Sequence, residues 1–107
     1  MKLKINNKEY EFIRCNTFFS RLKGLMFSKK KNLLFIFPVK EKPFIHMFFV
    51  FYPITIIFLD EFYNILEHKH IYPFQIYLPK QKFKYLLEIP EKIENPNKVF
   101  FIDKVEF

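Results

Sequence analysis

Alternating and continuous apolar runs, separated by polar turns, predict a series of short β-strands. Polar and apolar residues alternate in Lys2–Ile5 and in Lys8–Arg14. Between them lies Asn6-Asn7, a pair that tolerates positive φ and predicts a hairpin turn. Leu33–Phe37 is an unbroken apolar run, which is typical of a strand buried on both faces. Because Pro38 cannot donate a ladder hydrogen bond, we expect it to end that strand.

The centre of the chain is its most apolar part. It predicts two strands dense in Phe and Ile, over Phe44–Phe51 and Ile54–Leu59, which are separated by Tyr52-Pro53. Together they form an apolar stretch of about 16 residues that contains His46, whereas a membrane span needs about 20 uninterrupted apolar residues. No membrane span is therefore predicted.

The remaining segments continue the β pattern. Further strands are predicted over Ile65–Tyr72, Tyr85–Ile89 and Val99–Phe107. Residues 60–64 read as a turn, and residues 73–82 form a loop long enough to cover a cavity. One short helix is predicted over residues 17–23, because Thr17 is a suitable N-cap and Gly24 a suitable stop.

These elements together predict the fold class. About eight short strands with one helix, and no regular βαβ alternation, indicate a mainly β, single-domain antiparallel β-sandwich or barrel over residues 1–107. A closed barrel leaves no strand edge exposed. A closed barrel or a wrap of two sheets is therefore the safer solution for a chain with 17 Phe residues, many of them in predicted strands.

The charge is basic. Eighteen Lys and Arg against eleven Asp and Glu give a net charge of +7, which raises the prospect of a polyanionic partner. However, the chain has no Ala, one Gly and many Lys, Asn, Ile and Phe residues, the composition that an AT-rich genome imposes. Part of the lysine excess is then mutational. Nucleic-acid binding through Lys29–Lys31, Lys80, Lys82 and Lys84 is thus an alternative that the composition does not favour.

Several classes of protein are excluded. The lone Cys15 cannot form an intrachain disulfide or build a thiolate zinc cage, and it suits a reducing compartment. Residues 1–6 turn polar before an apolar signal region can form, so we expect a cytoplasmic protein. With one Gly, a glycine-rich phosphate loop is excluded, and the residue order shows no recognisable catalytic triad. The cofactor and the oligomeric state stay open.

A set of motifs resembles one known family. Residues 17–27 (TFFSRLKGLMF), 45–50 (IHMFFV) and 53–60 (PITIIFLD) match, in order and spacing, the domain of unknown function 192 family, also called uncharacterised protein family 0127. The later segments 73–74 (PF), 87–91 (LEIPE) and 103–105 (DKV) are similar to that family's closing blocks. The resemblance implies a compact, mainly β domain and no established reaction.

Two positions depart from the family's pattern. Thr55 stands where the family usually carries Asp after Pro-Ile, and Ile102 stands where it usually has Gly before the closing Asp. If the family has a carboxylate-dependent site at the first position, this chain lacks the carboxylate. Thr55 can only form hydrogen bonds there, so it enters the list of ligand-binding candidates in that role.

His46 and Arg21 are the leading candidates for a ligand-binding pocket. His46 lies inside an apolar predicted strand, where its ring either hydrogen-bonds a backbone carbonyl, Glu88 or Asp60, or contacts a small ligand. Arg21 matches the family's Arg before Gly-Leu-Met. Its planar group of donors suits a carboxylate, which is either Glu88 or Asp103 within the protein or the acid group of a ligand.

The acidic and metal candidates are fewer. Glu88 is either an internal acid that accepts from Arg21 or His46, or an outward residue on an edge strand, and Asp60 could orient His46. His68 and His70 point the same way on a predicted strand, but two imidazoles do not make a zinc site. An exposed surface pair is the better interpretation, and no metal is predicted.

Three hypotheses for the function remain. The first is a binding module in which loops, chiefly 73–82, surround a small-molecule pocket reached by His46 and Arg21. The second is a small enzyme with His46 as general acid or base, which requires Glu88 or Asp60 within about 3 Å of its ring. The third is nucleic-acid binding by the surface lysines, with an affinity that falls steeply with salt.

Overall fold

Ten short strands make up most of the regular structure. The computed structural model describes residues 1–17 and 23–102, and within those ranges the protein is mainly β. The strands are β1 (Lys2–Ile5), β2 (Lys8–Glu11), β3 (Ile13–Cys15), β4 (Leu33–Glu41), β5 (Ile45–His46), β6 (Ile54–Leu59), β7 (Ile65–Ile71), β8 (Ile76–Tyr77), β9 (Phe83–Ile89) and β10 (Val99–Phe101). The mainly β prediction is confirmed.

A five-stranded sheet is the centre of the molecule. Its strand order is β3-β4-β9-β6-β7, and all neighbours are antiparallel except β3 and β4, which run parallel. The three inner strands are buried on both faces over most of their length, and β6 is buried at every position. This explains why their sequences are continuous apolar runs rather than alternating ones.

Two apolar cores lie on opposite faces of this sheet. One core contains Phe35, Ile56, Phe58 and Leu86, and the other contains Leu34, Ile57 and Leu87. The second core also includes Leu3 and Ile5 of a three-stranded sheet with the order β10-β1-β2. The two larger sheets therefore pack as a sandwich. A third, two-stranded sheet pairs β5 with β8.

The described strands form open sheets, so of the two predicted alternatives the sandwich is observed and the closed barrel is not. The five-stranded sheet ends in β3, which has only three residues, and in β7. The exposed residues of β7 are His68 and Lys69, next to the half-buried Glu67. A very short strand and a charged strand both discourage pairing with another chain, so closure is not needed to protect these edges.

Several predicted bounds are confirmed. The hairpin turns at Asn6 (φ 51°) and Asn7 (φ 71°). Both residues adopt the left-handed backbone that this turn needs and that Asn tolerates. The strand over Ile54–Leu59 and the turn over residues 60–64 are also observed. The helix predicted over residues 17–23 lies largely outside the described residues. Gly24, its predicted stop, has the expected positive φ of 51°.

Other predicted bounds are wrong. β4 continues through Pro38 to Glu41, because a register shift between Ile36 and Glu41 removes the need for a ladder hydrogen bond at proline. The predicted strand over 8–14 breaks at Phe12, and its second part joins the other large sheet as β3. The predicted strand over 44–51 is reduced to β5, since the backbone turns between Met47 and Val50.

Candidate functional site

A cavity of about 360 Å³ lies on the face of the five-stranded sheet that carries Glu88 and Leu86. We call it the Glu88 cavity. Its wall is mostly apolar and includes Phe35, Phe37, Phe44, Ile45, Val50 and Leu86. Its polar lining groups belong to Glu88, His46, Lys23 and Glu41, of which the last two are exposed. An apolar hollow with a few convergent polar groups is the usual form of a small-molecule site.

Glu88 is the most unusual of these groups. It lies on β9, the central strand of the sheet, where its cross-strand neighbours are the buried residues Leu33 and Ile56. Only 7% of Glu88 is exposed, and no hydrogen bond from a described residue reaches its carboxyl group. It is therefore an internal residue and not an outward one on an edge strand.

Burial alone controls the ionisation of Glu88. Loss of hydration raises the pKa of its carboxyl group from 4.5 to about 8, since the charged form is poorly solvated there. At neutral pH the group is mostly protonated and acts as a hydrogen-bond donor as well as an acceptor. The pKa of the Tyr52 hydroxyl is raised too, first by burial and then by the charge of Glu88.

His46 reaches the same cavity from β5. Its Nδ1 accepts a hydrogen bond of 3.3 Å from the backbone N–H of Phe48, so a neutral ring carries its proton on Nε2. The ring stacks on Phe48 at a centroid distance of 5.1 Å and tilts against Phe44 at 6.3 Å. Among the described residues, its hydrogen-bond partner is thus a backbone N–H, and not the carbonyl, Glu88 or Asp60 expected from the sequence.

Arg21 lies outside the described residues, so its predicted place beside His46 stays a prediction. Lys23 and Gly24, which follow it closely in the chain, both line the Glu88 cavity. Asp103, the alternative structural partner of Arg21, also falls outside the described residues.

Asp60 has a local role in the turn between β6 and β7. Its Oδ1 accepts from the backbone N–H groups of Phe62 (2.8 Å) and Asn64 (2.9 Å), and its Oδ2 accepts from the Asn64 side chain (3.1 Å). Burial alone would raise the pKa of Asp60, but these hydrogen bonds and the charge of Lys40 lower it overall. Asp60 does not line the Glu88 cavity.

Thr55 lies on the opposite face of the sheet. Its fully buried hydroxyl donates to the Glu91 carbonyl at 2.7 Å and accepts from the Ile93 N–H at 3.1 Å, which ties the segment after β9 to β6. With His70 it lines a second cavity of about 250 Å³. The structure therefore brings His46 and Glu88 together and separates both from Thr55 and Asp60.

The histidine pair does not form a metal centre. His68 is exposed, and Nε2 of His70 lies 3.0 Å from the Ile93 carbonyl. Across residues 1–17 and 23–102, no three His, Cys, Asp or Glu side chains are placed to hold a metal ion together. In the same ranges, no helix is long and apolar enough to cross a membrane.

Comparison with known proteins explains the motif pattern. The model of the DUF192 family, described as an uncharacterized ACR, matches residues 1–107. The chain belongs to the DUF192 family. Two of its relatives are UPF0127 proteins of archaea. The Pyrococcus horikoshii protein is 34% identical over 95 residues, with 86% of this chain and 83% of that protein covered. The Thermococcus sibiricus protein is 39% identical over 79 residues, with 70% and 51% covered.

Solved structures share the fold of this DUF192 protein. One is a protein of unknown function from Novosphingobium aromaticivorans, with a TM-score of 0.77 and 16% identity over 94% of this chain and 84% of that chain. Another, from Sinorhizobium meliloti and described as a putative transcription regulator, has a TM-score of 0.74 and 17% identity, covering 83% and 77%. At such low identity, the likeness establishes the fold alone.

Two features of the DUF192 protein were missed from its sequence. Lys23 and Glu41 complete the lining of the Glu88 cavity, although neither was among the predicted site residues. Four exposed phenylalanines cluster on the surface, namely Phe27, Phe49, Phe51 and Phe74, and the apolar pattern predicted a buried strand at two of them, Phe49 and Phe51. The turn at Met47–Val50 exposes two of them, and a run of apolar residues gives no signal for such a turn.

Proposed function

We propose that this DUF192 protein is a binding module for a small carboxylic acid with an apolar body, held in the Glu88 cavity. The observation that carries the proposal is a buried carboxyl group that faces a cavity and has no hydrogen-bond partner among the described residues. Buried polar groups are nearly always paired. The carboxyl oxygens of Glu88 are open to the cavity, so a ligand held there is within reach of this group.

The polar groups of the cavity favour an acid as the ligand. Protonated Glu88 donates its O–H, neutral His46 donates its Nε2–H, and Lys23 adds a positive charge at the exposed side. All three are hydrogen-bond donors, and a carboxylate accepts from several donors at once. Arg21, if it reaches the cavity as predicted, adds a further donor of the type that pairs best with carboxylates.

The size and lining of the cavity limit the rest of the ligand. Its volume of about 360 Å³ lies near the lower end of the range for small-molecule sites. Phe35, Phe37 and Phe44 offer apolar surface to an aromatic or branched aliphatic group. The enzymatic alternative has less support, because among the described residues no carboxylate hydrogen-bonds the His46 ring.

Calorimetric titration with phenylacetate and isovalerate tests the proposal. Replacing the donor in Glu88→Leu or in His46→Phe should weaken binding roughly 10- to 100-fold, as expected for a hydrogen bond to a charged group. Glu88→Gln keeps an N–H donor and should retain most of the affinity. Glu41→Gln is the matched control on the same cavity, and because it removes a negative charge it should bind the acids at least as well.

The pH dependence gives a second readout. With a pKa of about 8, roughly a tenth of Glu88 stays protonated at about pH 9, so the affinity for phenylacetate should fall about tenfold from its value near pH 6.5. The Glu88→Gln variant should lack that fall. The proposal is wrong if benzylamine binds and the acids do not, or if Glu88→Leu and His46→Phe leave the affinity for the acids unchanged.

A further inference from the structure

Four phenylalanine side chains form a connected patch on the surface. Phe27, Phe51, Phe74 and Phe49 are 69%, 62%, 53% and 44% exposed, respectively. We call this group the aromatic cluster. Single exposed apolar residues are ordinary on soluble proteins, but contiguous aromatic patches mark interaction sites. None of the four lies in a core.

The rings of the aromatic cluster are held against one another in defined planes. Phe27 stacks on Phe49 with centroids 4.7 Å apart and planes 20° apart. Phe74 meets Phe49 and Phe51 edge to face, at 6.2 and 6.1 Å. Phe51 is tilted against Phe27 at 6.3 Å. The cluster therefore presents fixed aromatic surfaces rather than independent side chains.

The backbone beneath the cluster is strained. Phe27, Phe49 and Phe74 have φ values of 54°, 60° and 66°, in the left-handed region that is unfavourable for a residue with a bulky side chain. Backbone hydrogen bonds of 2.9 Å, from Phe27 N–H to the Phe49 carbonyl and from Phe74 N–H to the Met47 carbonyl, hold this geometry. Strain that surrounding bonds maintain is characteristic of functional sites.

Positive charge lies beside the cluster. The Tyr52 hydroxyl, next in sequence to Phe51, donates to the carbonyls of Ser28 (3.1 Å) and Lys29 (3.3 Å). The Lys30 ammonium lies 5.8 Å from the centre of the Tyr52 ring. Lys29 and Lys30 are both exposed. The lysine segment is thus fastened to the loop that carries Phe49 and Phe51.

We infer that the aromatic cluster and its flanking lysines bind single-stranded nucleic acid. Exposed aromatic rings next to positive charge are the features with which proteins bind single strands, since bases stack on the rings and phosphates pair with the lysines. The outer surface of Phe27, which already stacks on Phe49, offers a place for a base to extend the stack. None of the four rings lines the Glu88 cavity, although Met26 and Val50, which adjoin Phe27, Phe49 and Phe51 in the chain, do.

Other occupants fit the surface less well. A second copy of this chain also carries a net charge of +7, so a symmetric contact would bring the two lysine segments together. An anionic lipid surface would also attract the lysines. However, the insertion of side chains into lipid depends on their apolar area, and it does not require the rings to be held at fixed angles to one another. The stacked and edge-to-face geometry matches the requirement of bases more closely.

Fluorescence anisotropy with a short labelled oligothymidylate tests the inference. The double variant Phe27→Asn/Phe74→Asn removes two rings. Each ring that no longer stacks on a base should weaken binding of the oligonucleotide roughly 5- to 150-fold. Asn tolerates left-handed backbone, so the variant should melt at a temperature equal to or above that of the unmodified protein. Phe62→Asn is the matched control, because Phe62 is an exposed phenylalanine on the β6–β7 turn and makes no ring contact with the cluster.

Salt dependence tests the lysines. The double variant Lys29→Gln/Lys30→Gln should reduce the slope of log affinity against log salt by about 0.7 for each phosphate that a lysine no longer neutralises. Lys69→Gln, on the exposed edge strand β7, is the control and should leave the slope close to its original value.

Three results would overturn the inference. The first is that Phe27→Asn/Phe74→Asn binds oligothymidylate as tightly as the unmodified protein. The second is that the protein binds phosphatidylserine vesicles but not the oligonucleotide. The third is that the protein sediments as a dimer and that this double variant dissociates it. Glu88→Leu should bind the oligonucleotide normally. The outcome of this test is therefore independent of the acid-binding proposal.

Discussion

The free energy of unfolding should fall as pH rises because of Glu88, and replacing Glu88 by Gln should remove that fall. In the folded protein the pKa of Glu88 is raised from 4.5 to about 8 by burial. Between those values the unfolded chain has released the proton that the folded protein keeps. The free energy of unfolding therefore falls as pH rises, by about 1.4 kcal/mol per pH unit in the middle of this window.

The full effect is large for a domain of this size. Because the pKa rises from 4.5 to about 8, the total loss of stability approaches about 5 kcal/mol at pH values well above both, and about 3 to 4 kcal/mol of it occurs between about pH 5 and pH 8. Below about pH 4 the carboxyl group is protonated in both the folded and the unfolded protein, so it no longer makes the free energy of unfolding depend on pH. The group is buried, so solvent does not screen this effect as it does for a surface carboxylate.

Urea denaturation at about pH 5 and about pH 8 measures the effect. The chain has six Tyr and no Trp, so tyrosine fluorescence and far-ultraviolet circular dichroism are suitable probes. The Glu88→Gln variant cannot ionise, and its stability relative to the unmodified protein should increase by about 3 to 4 kcal/mol between the two pH values. Titration of other groups is common to both proteins and cancels in the difference.

Glu41→Gln serves as the control, because Glu41 lines the same cavity but is exposed. Its stability should stay within about 0.5 kcal/mol of the unmodified protein at both pH values. A stability difference for Glu88→Gln that is the same at about pH 5 and about pH 8 would refute the reasoning. It would mean that Glu88 ionises normally in the folded protein and that burial does not govern its chemistry.

Two further substitutions test the packing around the site. Thr55→Val should lower the free energy of unfolding by about 1 to 3 kcal/mol, because the two backbone groups that its buried hydroxyl satisfies are left without that partner. Thr55→Ser keeps the hydroxyl and should cost less, and an equal cost for both would contradict this role. Phe83→Ala should cost about 3 to 5 kcal/mol in the same denaturation assay, because Phe83 is fully buried against Phe37 and Phe58. A loss below about 1 kcal/mol would show that the core collapses around the missing ring.

The sequence was most informative where the local pattern and the tertiary environment agree. The runs in β4, β6 and β9 are apolar because both faces of the central sheet are covered, and their positions were largely predicted. The Asn6-Asn7 turn was predicted because its backbone requirement depends on two adjacent residues alone. The motif blocks also led to the correct family.

The predictions were weakest where apolar residues do not lie in a core. A run such as Phe48–Phe51 reads the same in a buried strand and in an exposed turn, and three phenylalanines adopt left-handed backbone that no propensity scale favours. Pro38 is the opposite case: it was predicted to end a strand, but a register shift lets β4 continue through it. In both cases backbone hydrogen bonds with distant segments decided the local conformation.

From its sequence alone, the protein could be recognised as a basic, phenylalanine-rich β domain with His46, Glu88 and Arg21 among its candidates. Only the tertiary structure decided that Glu88 lies between Leu33 and Ile56, without a partner among the described residues, and beside a cavity that it shares with His46. The pKa of a carboxyl group depends on the water and charge around it. Those surroundings are supplied by strands far apart in the chain, so no local pattern contains them.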